Sequence, residues 1–161
     1  MPDTDIEVGE VYLQPGELCF AREPTVIRTI LGSCVGATFW AAKFGIGALF
    51  HAQLPTSPKT ASQTSGGRYV DSSIREIAQQ FDRNHVLRSE VVVKVFGGAD
   101  VLHSVTDDIL HPTVGSLNCD VALEILSKEG FIVVASSLRG KRGRKIRFHT
   151  GTGEVFVRNL T

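Results

Sequence analysis

Between residues 25 and 50 three apolar stretches follow one another with hardly any room between them: 25–31 (TVIRTIL), 35–40 (VGATFW) and 45–50 (GIGALF). The first is β-branched at every position but Arg28 and Leu31, and runs of this length and kind read as strands. Gly32-Ser33 interrupts the first pair and Ala41-Ala42-Lys43 the second. Paired as a hairpin, the second and third strands put the start of one beside the end of the other.

The flanking chain adds strands and two helices. Residues 7–13 (EVGEVYL) read as a strand closed by the turn Gln14-Pro15-Gly16. Residues 56–67 (TSPKTASQTSGG) are rich in Ser, Thr and Gly and read as a mobile loop. Ile74, Ile77, Ala78 and Phe81 then recur at helical spacing, with Ser73 and Glu76 as a capping box or Asp71 as the cap. Residues 91–96 (VVVKVF) form a continuous run, read as a buried strand ended by Gly97-Gly98. A second helix is expected over 116–129. Cys119, Ala122, Leu123 and Leu126 lie on one face, Val121 and Ile125 widen it, and Gly130 is the stop. Residues 131–137 are a strand, and 145–149 with 154–159 form a hairpin about Thr150-Gly151-Thr152-Gly153. The pattern is α+β: one domain over 1–161, with its core at 7–159, built of mixed β-sheets in a layered sandwich covered by at least two helices.

With 161 residues, 42% of them hydrophobic and 21% charged, the chain matches an ordinary globular domain. A chain of this length can bury about 70% of its unfolded surface and needs no disulfide or metal staple. Seventeen Lys and Arg balance seventeen Asp and Glu, a balance that argues against a dedicated nucleic-acid binder. The three cysteines, Cys19, Cys34 and Cys119, are widely spaced, form no CxxC pair and fit free thiols in a reducing cytoplasm. The acidic start MPDTDIEVGE is not a signal peptide, and no apolar run is long enough to enter a membrane as a helix.

Chemistry concentrates in the crowded segment. Cys34 follows two small residues at the break between strands. Such a break leaves sulfur uncrowded and lets backbone N–H groups near Gly32 and Ser33 converge as an oxyanion hole. His51 stands just past the third strand, so the hairpin brings it to the end of the sheet where Cys34 lies. A free thiol is only a few per cent thiolate at neutral pH, and a histidine partner can take its proton and return it to a leaving group. A cysteine in an apolar strand is also commonly a small buried hydrophobe, and residue types alone leave both readings open.

Further blocks point one way. Residues 29–36 (TILGSCVG), Gly47 and 51–55 (HAQLP) resemble the CheD family of chemoreceptor glutamine deamidases. Residues 67–71 (GRYVD), 96–99 (FGGA), Gly115 with Asn118, 143–146 (GRKI) and the Thr150, Thr152-Gly153 and Val155 positions continue the resemblance over about residues 7–159. The resemblance implies a cysteine hydrolase acting on glutamine side chains of chemotaxis receptors, with Cys34 as nucleophile and His51 as general base. It carries a third residue, a threonine, onto Thr29. Some members of the family place that threonine one residue earlier, where this chain has Arg28. In a strand that step reverses the side-chain direction unless a bulge intervenes.

On this reading Cys34 attacks the γ-carboxamide, ammonia leaves, and water hydrolyses a thioester, with no metal or organic cofactor required. The implied partners are the cytoplasmic helices of chemoreceptors and a CheC-type phosphatase, with neither nucleic acid nor membrane insertion. The rival readings are a non-catalytic binding module of the same system and an unrelated small amidase.

Arg139 stands where the family shows a glycine. It opens a basic run with Lys141, Arg142, Arg144, Lys145 and Arg147, read as either a solvated loop or a dock for an acidic partner. His103, Asp107, Asp108 and His111 are too irregularly spaced to make a metal site. His85 and His149 have no evident partner, Cys119 reads as core and Cys19 as an isolated surface thiol.

Overall fold

The structure, a computed structural model, describes residues 8–58, 66–101 and 112–161. Its elements run β1 (Gly9–Tyr12), β2 (Leu18–Ala21), β3 (Thr25–Leu31), β4 (Val35–Ala41), β5 (Ile46–Phe50), α1 (Val70–Arg83), β6 (Val92–Gly97), α2 (Val114–Lys128), β7 (Val133–Leu138), β8 (Arg144–His149) and β9 (Val155–Asn159). They make two mixed sheets, a four-stranded one in the order β1-β3-β8-β9 and a five-stranded one in the order β2-β5-β4-β6-β7. Helices α1 and α2 cover one face of the larger sheet, and the smaller sheet covers the other. The layers are therefore sheet, sheet and helices, which is the expected α+β sandwich.

Alternation along β4 and β5 builds this stack. Val35, Ala37, Phe39 and Ala41, with Ile46, Ala48 and Phe50, face the helices and meet Ile74, Ile77, Phe81, Ala122 and Leu126. Phe39, Phe81 and Phe131 stack there edge-on or tilted, with centroids 5.2–6.3 Å apart. Burying each such ring contributes roughly 1.5–3 kcal/mol. The opposite faces of the same strands present Trp40 and Leu49 to Leu13, Ile27 and Phe148 of the smaller sheet. β4 and β5 pair antiparallel as the hairpin reading requires.

Several local expectations are corrected. β2 was not legible as a strand, and Cys19 lies half-buried within it rather than on the surface. Burial raises its thiol pKa. Helix α1 begins at Val70 with Tyr69 before it; Tyr69 offers no side-chain cap, and Ser73 and Asp71 lie inside the first turn, where Asp71 Oδ1 accepts from Ser72 N at 2.7 Å. Its first amides donate instead to Leu54 O at 2.9 Å and Pro55 O at 3.2 Å, while Ser73 Oγ turns back to Tyr69 O at 2.6 Å. Leu123 is exposed rather than part of the α2 core stripe. Residues 59–65 of the expected loop, and His103, Asp107, Asp108 and His111, lie outside the described residues.

The basic run divides. Arg139 takes a left-handed conformation at φ 69° and is tied to α2, its guanidinium donating at 2.7 Å to both Ser116 Oγ and Asp120 Oδ1. Arg144 is buried and donates to Ser137 Oγ at 2.9 Å and Arg139 O at 2.6 Å. Lys145 and Arg147 point outward from β8.

Candidate active site

The chain leaves the smaller sheet at Leu31 and enters the larger one at Val35, so Gly32, Ser33 and Cys34 form the crossing. Val35 and Ala52 exchange backbone hydrogen bonds at 3.0 and 2.9 Å, extending the β4–β5 ladder past the strand ends. By that register Cys34 stands opposite Gln53, and Gln53 shares a face with His51. Cys34 and His51 are thus diagonal neighbours on the face turned to the smaller sheet. Cys34 is half-buried and packs against Leu31, Phe96 and Ile146.

The crossing is held from behind. Cys34 O accepts from Gly98 N, and Gly32 O accepts from Ala99 N, both at 2.9 Å. Gly97 has φ +105°, and a Cβ there would come within 2.2 Å of Cys34 O. Only glycine admits this approach. Gly32, Ser33 and Cys34 have N–H groups without a backbone acceptor among the described residues.

His51 is positioned by its backbone and by a side chain from the other sheet. Its N–H donates to Glu17 O at 2.9 Å, and its carbonyl accepts from Gly16 N at 2.8 Å. Its ring is buried, with Nδ1 2.6 Å from Thr29 Oγ1. That hydroxyl also donates to Leu13 O at 3.0 Å. A threonine hydroxyl has one hydrogen, and a carbonyl only accepts. Thr29 Oγ1 must therefore accept from Nδ1–H of His51, which leaves Nε2 with its lone pair free. Arg28 points to the opposite face of β3 and reaches Glu10 at 3.4 Å.

Burial lowers the His51 pKa to about 4, against a smaller upward pull from the Glu17 carboxylate, so the ring is neutral at pH 7. Burial also raises the Cys34 thiol, while its own backbone N–H favours the thiolate. No hydrogen bond joins Cys34 Sγ to the imidazole among the described residues. The two groups rest as a thiol and a neutral imidazole, not as an ion pair.

One further residue was missed as part of the site. Asn118 on α2 is fully buried, and its Nδ2 donates to Ser33 O at 3.0 Å and Gln53 O at 3.1 Å. It thereby ties the Cys34 crossing to the segment after His51. The sequence marked Asn118 only as part of a helix start; its carboxamide in a buried stripe was the available signal. A cavity of about 250 Å³ opens beside Ser33, lined also by Ala99, Val101, Thr113 and Gly115.

A two-sheet sandwich with a cysteine and a histidine at its seam defines the class of structure. Its overall fold is like that of YlmD from Geobacillus stearothermophilus, with a TM-score of 0.50 at 15% identity over 77% of this chain and 50% of that one. The chain spans about half of YlmD, and the likeness is one of fold alone. The family model described as "CheD chemotactic sensory transduction" matches residues 53–159. The chain is 42% identical over 154 residues to the "Probable chemoreceptor glutamine deamidase CheD 2" of Geobacter sulfurreducens, covering 96% of this chain and 92% of that protein. It is 38% identical over 159 residues to the "Probable chemoreceptor glutamine deamidase CheD" of Nitratidesulfovibrio vulgaris, covering 97% of this chain and 80% of that protein. The chain belongs to the CheD family.

Proposed function

We propose that this chain is a protein-glutamine deamidase that converts glutamine side chains of chemoreceptors to glutamate, using Cys34 as nucleophile, His51 as general base and Thr29 to orient the imidazole. The observation that carries the reading is the Thr29–His51 contact, which fixes the tautomer a base needs on the face that Cys34 shares.

His51 Nε2 takes the thiol proton as Sγ attacks the γ-carboxamide carbon. The carbonyl electrons move to oxygen, and the oxyanion accepts hydrogen bonds from the N–H groups around Gly32, Ser33 and Cys34. A single such donor is typically worth roughly 10²–10³ in rate. The tetrahedral species collapses, His51 passes its proton to nitrogen, and ammonia leaves a thioester. Water then gives His51 a proton and attacks the thioester carbonyl, releasing glutamate and restoring the thiol. General acid–base assistance of this kind contributes roughly 10²–10⁴-fold. Residues 1–161, with their core at 7–159, work as one deamidase domain in the cytoplasm, and a CheC-type phosphatase is a second partner of it.

The test is intact-mass spectrometry of a chemoreceptor cytoplasmic fragment incubated with the protein. Each deamidated glutamine adds about one dalton, and peptide mapping locates it. Conversion is expected with the parent protein and abolished in Cys34→Ala and His51→Ala. A fragment that binds without conversion would overturn the catalytic reading and leave a binding module. A co-purification with a CheC-type phosphatase tests the second partner separately.

A further inference from the structure

The four-stranded sheet turns one face to the larger sheet and the other away from it. Outward positions on β3, β8 and β9 are Arg28 and Ile30, Lys145 and Arg147, and Phe156 and Arg158. The register sets Arg28 directly opposite Arg147, and Lys145 directly opposite Arg158. Side chains so paired stand about 5 Å apart at Cβ, where like charges destabilise a sheet. The chain as a whole is electrically balanced, with seventeen charges of each sign. Composition therefore does not force cations together here.

Local compensation is slight. Glu10 reaches Arg28 at 3.4 Å, but both side chains are well exposed, and such pairs contribute little. Arg28 Nε is buried without a hydrogen-bond partner. Arg147 lies over the Phe156 ring at 4.7 Å from its centroid, a cation–π contact. Arg28, Lys145, Arg147, Arg158 and Phe156 line a cavity of about 290 Å³ whose lining includes no carboxylate.

We propose that this cavity is a binding site for a compact, multiply charged anion of the phosphate-ester or polyphosphate class, gripped by Arg28, Lys145, Arg147 and Arg158. An anion between the opposed cations turns two repulsive cross-strand pairs into attractive bridges, and guanidinium groups bind phosphate oxygens in pairs. Concavity selects the ligand. A small polyanion enters the hollow and meets all four cations within the ~8 Å screening length of physiological salt. The convex side of an acidic helix brings one carboxylate at a time. The site lies on the sheet face opposite Thr29 and stands apart from the deamidase reading.

Calorimetric titration with inorganic pyrophosphate tests this. The parent protein is expected to bind, and Arg147→Gln and Lys145→Gln each to weaken binding roughly tenfold. Lys128→Gln, on α2 in a pair with Glu124, is expected to bind as the parent does. Thermal unfolding gives the second readout. Without ligand, Arg147→Gln and Lys145→Gln should melt no lower than the parent, because they remove a repulsion; pyrophosphate should raise the melting temperature of the parent more than theirs. A nucleoside triphosphate run in parallel separates phosphate esters from inorganic polyphosphate. Absence of pyrophosphate and triphosphate binding, or equal binding by all variants, would overturn the site. So would a deca-glutamate peptide that binds and that pyrophosphate fails to displace, a result that would make the face a protein dock.

Discussion

Thr29 Oγ1 on the smaller sheet and His51 Nδ1 on the larger one meet at 2.6 Å. Leu13 O takes the hydroxyl hydrogen from the other side at 3.0 Å. Thr29→Val keeps the shape of the side chain and removes the acceptor that holds Nδ1–H. Receptor deamidation is expected to fall roughly 10²-fold in kcat with little change in KM, because general base assistance is lost and substrate contacts are not. Thr29→Ser should restore most of it. Equal rates in Thr29→Val and the parent, measured by mass spectrometry, would remove Thr29 from the mechanism.

The depressed His51 pKa has a stability consequence. In the folded chain the ring titrates at about 4, and in the unfolded chain near 6.5. Between those values the unfolded state binds more protons, so stability is full above pH 6.5 and declines as pH falls toward 4. The decline amounts to at most about 3 kcal/mol. Urea unfolding of the parent and His51→Gln from pH 7 to pH 4 checks it. The His51-dependent part of the slope should vanish in the variant.

Cys34 should alkylate slowly at neutral pH. Its thiol is raised by burial, so the iodoacetamide rate at Cys34, followed by peptide mass, should climb with pH and have its midpoint above the ordinary value of about 8.5. A rate already on a plateau below pH 7 would mean a standing thiolate–imidazolium pair, contrary to the neutral pair described above.

Asn118 is a clamp whose two donors matter more than its volume. Asn118→Asp places a buried carboxylate against Ser33 O and Gln53 O, where only donors fit. It is expected to destabilise the protein by more than the roughly 1–3 kcal/mol typical of an orphaned buried polar group. Asn118→Ala should cost less. Both should slow Cys34 alkylation or deamidation relative to the parent at matched fractions folded. Thermal melts and rates that match the parent in both variants would reduce Asn118 to a bystander.

The strands from Thr25 to Phe50 were legible because β-branched, apolar residues leave few alternatives, and the β4–β5 hairpin already placed Cys34 and His51 at one end. What stayed hidden depends on partners distant in sequence. β2 is four residues, LCFA, all half-buried and without alternation, so no period reveals it. The first two amides of α1 donate to the carbonyls of Leu54 and Pro55, which no local capping pattern announces. Asn118 acts on carbonyls 85 and 65 residues away. The parity of β3 is set by the same distant partners: Ile27, Thr29 and Leu31 face the second sheet, and Arg28 faces away toward Glu10.

Seen through biosynthesis, the crossing at Gly32–Cys34 imposes an order of events. Cys34, His51 and Thr29 leave the ribosome early, yet the strand bearing Thr29 is flanked by β8, with Thr29 paired to Ile146. β3 can complete its pairing only after β8 has been synthesised. A nascent chain thus carries Thr29, Cys34 and His51 before the strand that completes the sheet around Thr29 exists.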